Sequence, residues 1–305
     1  MGELKPVKSG WYNAFRPWSL HGAVVPVLIG GVVAYHDGFF CWWIFLMVAV
    51  CGCLLQSAGN LLNTYGDFVK GTDTVENEVR SPELVTGKLR PKAILMVGMA
   101  CLGVTALCGL VFIWYIGWGI LLFGLLGLAG AGLYTVGISY KYMGMGLVSV
   151  FFMMGILMPL GTYYVMAGDI SYEVLLMSIP NAFLITAVLS GNETRDWHED
   201  KKAGVNTLSS FLSYEGSMRL YLTLNIIAFP ILAALILTAQ IPWTSGLAFL
   251  ALINLYTLMK NSRGAKDNKR NSILLVPMSF RLNWHFGVLL VIGYLIGYYA
   301  IPGMI

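Results

Sequence analysis

Nine stretches of mostly apolar residues run along this chain, near 19–36, 41–63, 91–114, 117–136, 143–166, 173–192, 216–239, 243–261 and 282–301. A helix needs about 20 such residues to cross the hydrocarbon of a bilayer, and backbone polar groups in lipid must be satisfied within their own segment. The pattern predicts an all-α integral membrane protein with nine transmembrane helices. Residues 19–305 form one domain, and residues 1–18 form a cytoplasmic or interfacial segment rich in Trp, Tyr and Phe. Composition agrees: 57% of the residues are hydrophobic and 11% charged, against about 25% charged in soluble domains.

With nine spans the termini face opposite sides, and the loops separate into two sets. All 19 Lys and Arg fall in the N-terminal tail and in loops two, four, six and eight; the other set has none. The positive-inside rule then places the N-terminus in the cytoplasm. Twelve of the 15 Asp and Glu share that face, leaving Asp37, Asp169 and Glu173 on the other. Topology requires only the cations, so a face rich in both signs points to a site. The net charge of +4 is dispersed over separate loops, which argues against a nucleic-acid partner. The basic run from Lys260 to Arg270 reads as a loop that orients the protein and meets anionic lipid. The five cysteines lie in or beside apolar runs and read as core residues.

Two polar stripes end spans on the charged face. Asn60, Asn63 and Asp67 are spaced i, i+3, i+7, and Asn192, Asp196 and Asp200 are spaced i, i+4, i+8, so each set lines one side of a helix. Asp73 lies off the first stripe and joins it if the helix unwinds, for which Gly66 and Gly71 offer the means. Stacked like charges call for a cation between them. Oxygen ligands without Cys or His pairs suit Mg²⁺, which typically combines one or two carboxylates with waters and substrate phosphates. The competing reading is a pair of hydrated helix ends whose acids meet nearby Lys. Arg80 and Lys88 are candidates for phosphate oxygens or plain topological anchors. Lys141 is the lone cation of its loop, flanked by Tyr134, Tyr140 and Tyr142; it either grips an anion or snorkels. Arg195 and Lys201, within the second stripe, complete the candidate substrate contacts. His21 and His285 read as helix contacts rather than bases.

The stretch from Asn63 to Asp73, the stretch from Asn192 to Gly204 followed by Thr207-Leu208, and Tyr134-Thr135 with Leu160 to Tyr164 together resemble the UbiA superfamily of intramembrane prenyltransferases. The likeness is greatest to the MenA branch, which prenylates 1,4-dihydroxy-2-naphthoate, and runs from about residue 19 to 301. It implies a UbiA-type helical bundle with active-site loops near 64–91 and 193–215. It also implies two Mg²⁺, one held by Asn63, Asp67 and Asp73 and the other by Asn192, Asp196 and Asp200. Asp67, Asp73, Asp196 and Asp200 then carry the chemistry on a prenyl diphosphate, which ionises to an allylic cation captured by an aromatic quinone precursor. Thr64 stands where many members have Asp, which leaves the acceptor less defined: 4-hydroxybenzoate, homogentisate, a porphyrin or a glycerol phosphate lipid are the alternatives. The setting implied is a bacterial or archaeal cell membrane, with membrane lipid around the spans. A cation-coupled transporter is the rival of another class, but it would place ionisable groups near the midplane, and no charged residue falls at the centre of any span.

The one-sided distribution of 19 cations predicts that single cysteine labels at 76, 200 and 265 react from the cytoplasm and labels at 38, 170 and 241 from the opposite side. Labelling of 76 and 200 from different sides would refute a shared site.

Overall fold

The computed structural model describes residues 10–71, 82–202 and 204–300, all of them helix, turn or loop with no strand. A short helix α1 (Trp11–Phe15) turns at Arg16 (φ 50°) into α2 (His21–His36). Then follow α3 (Trp42–Val69), α4 (Pro82–Val85), α5 (Pro91–Ile116) and α6 (Ile120–Gly132). α7 (Gly146–Val150) and α8 (Met158–Ala167) are joined through a π-helical turn, Phe151–Leu157. The chain continues through α9 (Tyr172–Arg195), α10 (Trp197–Lys202), α11 (Tyr214–Leu237), a 3-10 segment Trp243–Ala251 running into α12 (Leu252–Ser262), and α13 (Lys269–Ala300).

Among the described residues, seven helical stretches are long and apolar enough to cross a membrane. They coincide with seven of the nine expected spans. The two exceptions have visible causes. The 117–136 stretch yields a helix of only 13 residues, about 20 Å at 1.5 Å per residue. Beyond it Thr135 Oγ1 bonds the Leu62 carbonyl (2.8 Å), while Gly137 and Ser139 adopt positive φ, so the chain folds into a loop over the end of α3. The 243–261 stretch divides between the 3-10 segment and α12. Two further boundaries move. α3 stays helical through Gly66 and stops at Gly71, whose φ of +72° ends the helix. α13 starts at Lys269, well before the expected 282, so the basic cluster is partly helical and the loop before it short.

α9 forms the centre of the bundle: 72% of its apolar stretch is buried, against 17% for α5 at the periphery. It packs against α2, α8, α11, α13 and the π turn. Lipid tails offer helices no hydrophobic gain from associating, so small residues and internal hydrogen bonds do that work. A Cβ at Gly30 would lie 2.2 Å from the Pro159 carbonyl oxygen, and one at Gly155 would lie 2.3 Å from Ala182 Cβ. Asn283 donates to Asn181 (2.7 Å), and Tyr221 donates to the Leu275 carbonyl (2.9 Å), so α9, α11 and α13 are cross-linked inside the bundle. Exposed Trp42, Trp43, Trp114, Trp118 and Trp243 ring the end without cations, as interfacial tryptophans do.

Gly30→Ala should therefore lower thermal stability in detergent by about 1–3 kcal/mol, because α2 must move off α8. Gly103→Ala, where nothing lies within 4 Å of the added methyl, should leave the melting midpoint unchanged or slightly raised. Equal effects of the two would contradict the packing described.

Candidate active site

The segment before α2, the ends of α3, α9 and α13, and the loop 133–145 enclose a cavity of about 790 Å³. Its walls change character from one end to the other. At the charged end stand Asn63, Asp67, Asn192, Asp196 and Asp200, and deeper in the bundle stand Met153, Met154, Met158, Ile185, Val188 and Phe280. The two stripes thus share one space, although they lie on different helices in different halves of the chain. The second stripe keeps helical spacing across the α9–α10 junction, since Asp196 N–H bonds Asn192 O (3.0 Å) and Asp200 N–H bonds Asp196 O (2.9 Å).

Lys141 is the centre of the first stripe. Its Nζ donates to Asn63 Oδ1 (2.8 Å) and to both oxygens of Asp67 (2.8 and 3.0 Å). Tyr142 donates its hydroxyl to Asp67 Oδ1 (2.6 Å), and Asn63 donates to Oδ2 (2.9 Å). The side chains of Lys141 and Asp67 are 16% and 14% exposed, which takes this pair out of the weak, fully solvated class. A snorkelling lysine would reach away from the bundle; this one reaches across to α3. On the second stripe Arg195 grips Asp196 with Nε and Nη2 (2.6 and 2.8 Å), the two-point geometry that favours guanidinium over ammonium.

Of the other expected residues, Tyr134 and Tyr140 line the cavity, their rings 5.4 Å apart and edge to face. Tyr140 donates to the Gly130 carbonyl and accepts from Ser149 (2.9 Å), and burial pushes its phenol above the ordinary range. Lys88 is exposed, and Lys201 sits with Nζ 4.3 Å over the Trp197 ring; the structure brings neither to the cavity wall. Asp73 and Arg80 lie outside the described residues. Asn60, placed on the first stripe by spacing, spends its amide on the Phe15 carbonyl (3.0 Å) and Ser19 Oγ (2.9 Å), so it fastens the N-terminal segment.

Several lining residues were not expected from the sequence. Arg16 reaches into the cavity wall and donates to Thr64 Oγ1 (3.3 Å). Glu193, 4% exposed, accepts from the Ser209 backbone N–H (3.1 Å). Lys266 and Lys269 line the cavity, so part of the basic cluster, expected only to orient the protein and meet lipid, has a place at the site. The one available signal was Glu193: an acid one residue inside the last turn of a buried apolar helix rarely goes without a partner. Gly66 has a different role from the unwinding expected of it. A Cβ there would lie 2.8 Å from both Thr135 Cβ and the Thr135 carbonyl oxygen, so its bare backbone lets the Lys141 loop seat against α3.

The sequence profile of the UbiA prenyltransferase family matches residues 23–284. The chain is 31% identical to the 1,4-dihydroxy-2-naphthoate octaprenyltransferase of Bacillus subtilis over 98% of its own length and 97% of that protein. It is also 31% identical to UbiA prenyltransferase domain-containing protein 1 of Xenopus tropicalis, over 92% of this chain and 80% of that one. Bacterial and animal proteins match equally, so the similarity does not select a bacterial or archaeal membrane over an animal one. In fold, the chain resembles the apo structure of a UbiA homolog from Aeropyrum pernix K1 (TM-score 0.68, 16% identity, 91% of this chain and 98% of that one). It also resembles a UbiA homolog from Archaeoglobus fulgidus bound to GPP and Mg²⁺ (TM-score 0.61, 15% identity, 92% and 98%).

Gly66→Ala should lift the 133–145 loop and displace Lys141 while α3 stays folded. Prenyl transfer should fall by about ten- to a hundred-fold, as displacements approaching 1 Å do at reacting centres. Undiminished transfer would show that the seating of this loop does not matter.

Proposed function

The chain belongs to the UbiA prenyltransferase family, and from that premise we propose that it moves a polyprenyl group from a prenyl diphosphate onto 1,4-dihydroxy-2-naphthoate, a step toward menaquinone. It is a multi-pass membrane transferase. The observation that carries the finer reading is the graded cavity, with two carboxamide–carboxylate stripes and Lys141 at one end and methionine and aliphatic side chains at the other. A diphosphate with a hydrocarbon tail has that same division.

The residues fit Mg²⁺. Asn63, Asp67, Asn192, Asp196 and Asp200 offer oxygen ligands, and the imidazole that also lines the cavity, His198, lies stacked on Tyr214. We place two ions here, with Asp73 assigned to the first. Bound Mg²⁺ supplies positive charge against diphosphate oxygens. The chain's own residues do the rest. Lys141 and Arg195, with Arg80 assigned beside them, neutralise charge that grows on the departing diphosphate. The rings of Tyr134 and Tyr140 flank the allylic cation and keep water from it, and the apolar end holds the tail. The acceptor's electron-rich carbon then bonds the allylic carbon, and its carboxylate leaves as carbon dioxide. Nine membrane crossings with the cavity mouth and the N-terminus in the cytoplasm complete the arrangement we propose; α6 and the 243–262 stretch supply the two shorter crossings.

The test is prenylation of 1,4-dihydroxy-2-naphthoate by protein in nanodiscs at varied donor concentration. Chelation should abolish turnover, and Asp67→Asn and Asp196→Asn should lose nearly all product without loss of folding. Lys141→Ala should raise the donor KM about ten- to a hundred-fold, as expected for one charge-assisted contact, and leave acceptor binding alone. Full turnover in excess chelator would overturn the metal reading. Product with 4-hydroxybenzoate or homogentisate but not with the naphthoate would move the assignment to another acceptor.

A further inference from the structure

Among the described residues, the loops at the end of the bundle opposite the cavity carry no Lys or Arg, yet Asp37, Asp169 and Glu173 fall there. Two of them, from segments 136 residues apart in sequence (37 and 173), converge. His36 at the end of α2, Asp37 beside it, and Glu173 in the first turn of α9 each present a nitrogen or oxygen, and these three atoms lie within 4.8 Å of one another. His36 Nδ1 is 2.9 Å from Asp37 Oδ1. Two carboxylates thus meet one imidazole, and among the described residues no lysine or arginine forms an ion pair with them.

The surroundings are organised to hold those carboxylates in position. Tyr163 of α8 donates to Asp37 Oδ2 (2.7 Å), and Tyr298 of α13 donates to Glu173 Oε1 (3.0 Å). The His36 ring lies against Tyr298, centroid to centroid 3.9 Å. Hydroxyls that orient ligating carboxylates are the usual outer partners of protein metal ions. An independent observation points to a missing occupant. Tyr294, 0% exposed, packs its ring against His36 and Tyr298 (centroids 6.0 and 4.7 Å apart), and its hydroxyl has no hydrogen-bond partner of ordinary geometry. Buried polar atoms rarely remain so without a water or ion nearby.

We propose that His36, Asp37 and Glu173 form a second cation site, for a divalent transition ion of the zinc class, on the membrane face opposite the prenyl-transfer cavity. The donor set carries the choice of ion: one imidazole with two carboxylates favours zinc over the hard, all-oxygen Mg²⁺. Zinc bonds of about 2.0–2.2 Å need the ligand atoms somewhat closer than now, which side-chain rotation of the half-buried Glu173 supplies. A water completes the shell and gives the Tyr294 hydroxyl its partner. The ion ties the end of α2 to the start of α9 and is independent of the prenyl-transfer reading.

The test uses purified full-length protein in detergent, stripped with chelator and dialysed against zinc with millimolar Mg²⁺ held constant to occupy the oxygen-ligand stripes. Retained zinc is counted by mass spectrometry of the element. Wild type should keep one zinc per chain that His36→Gln and Asp37→Asn both lose, while Asp67→Asn keeps it. Zinc at about a hundred times its dissociation constant should raise the wild-type melting midpoint by about 5–10 °C and leave those of the two ligand variants unmoved. Asp37 is exposed, so Asp37→Asn tests the site even if His36→Gln folds poorly. Equal zinc in all four proteins, no retained zinc in wild type, or loss of zinc on Asp67→Asn alone would overturn the proposal.

Discussion

A charge in hydrocarbon has nowhere to find water, and the architecture of this protein follows from that cost. Among the described residues, Lys and Arg gather toward one end of the bundle. Some of the buried polar groups fasten one helix to another, as Asn283 fastens α13 to α9. Because α9 is buried along most of its length, its polar last turn delivers Asn192 and Asp196 into the middle of the charged end rather than to its rim. α3 brings Asn63 and Asp67 to the same place from the other half of the chain. Their nearness thus depends on the central place of α9, toward which the end of α3 is brought.

Much of this was legible in the residue order. Apolar length gave the seven long helices, and cation placement gave the face on which the stripes meet. Spacing gave the stripes themselves, since i, i+4 periodicity depends on the helix alone. The losses have one physical source, which is contact between residues far apart in sequence. Nothing local to Gly66 says that Thr135 will press on it, and by itself the glycine suggests a break. Nothing local to Asn60 says that Phe15 and Ser19 will claim its amide. The early start of α13 has a different origin: its first turns are polar, and a hydropathy argument sees only the part of a helix that lies in lipid.

Lys141 illustrates the intermediate case. Its isolation in the sequence marks it for gripping an anion, with snorkelling as the alternative, and only the fold shows Asn63, Asp67 and Tyr142 around it. The same contacts give the empty protein an internal counter-ion for Asp67. A carboxylate held by three side chains in this way has its orientation set by the protein itself.

The graded cavity has a consequence for what the protein can tell apart. Its polar end is fixed by bonds such as Arg195 to Asp196, whereas its deep end is lined by Met153, Met154 and Met158, unbranched thioethers that refill space at little cost. Recognition at the rigid end is strict about chemical groups, and recognition at the soft end is tolerant of length and shape. Such a binding space sorts molecules by their heads and is nearly indifferent to how far their tails extend.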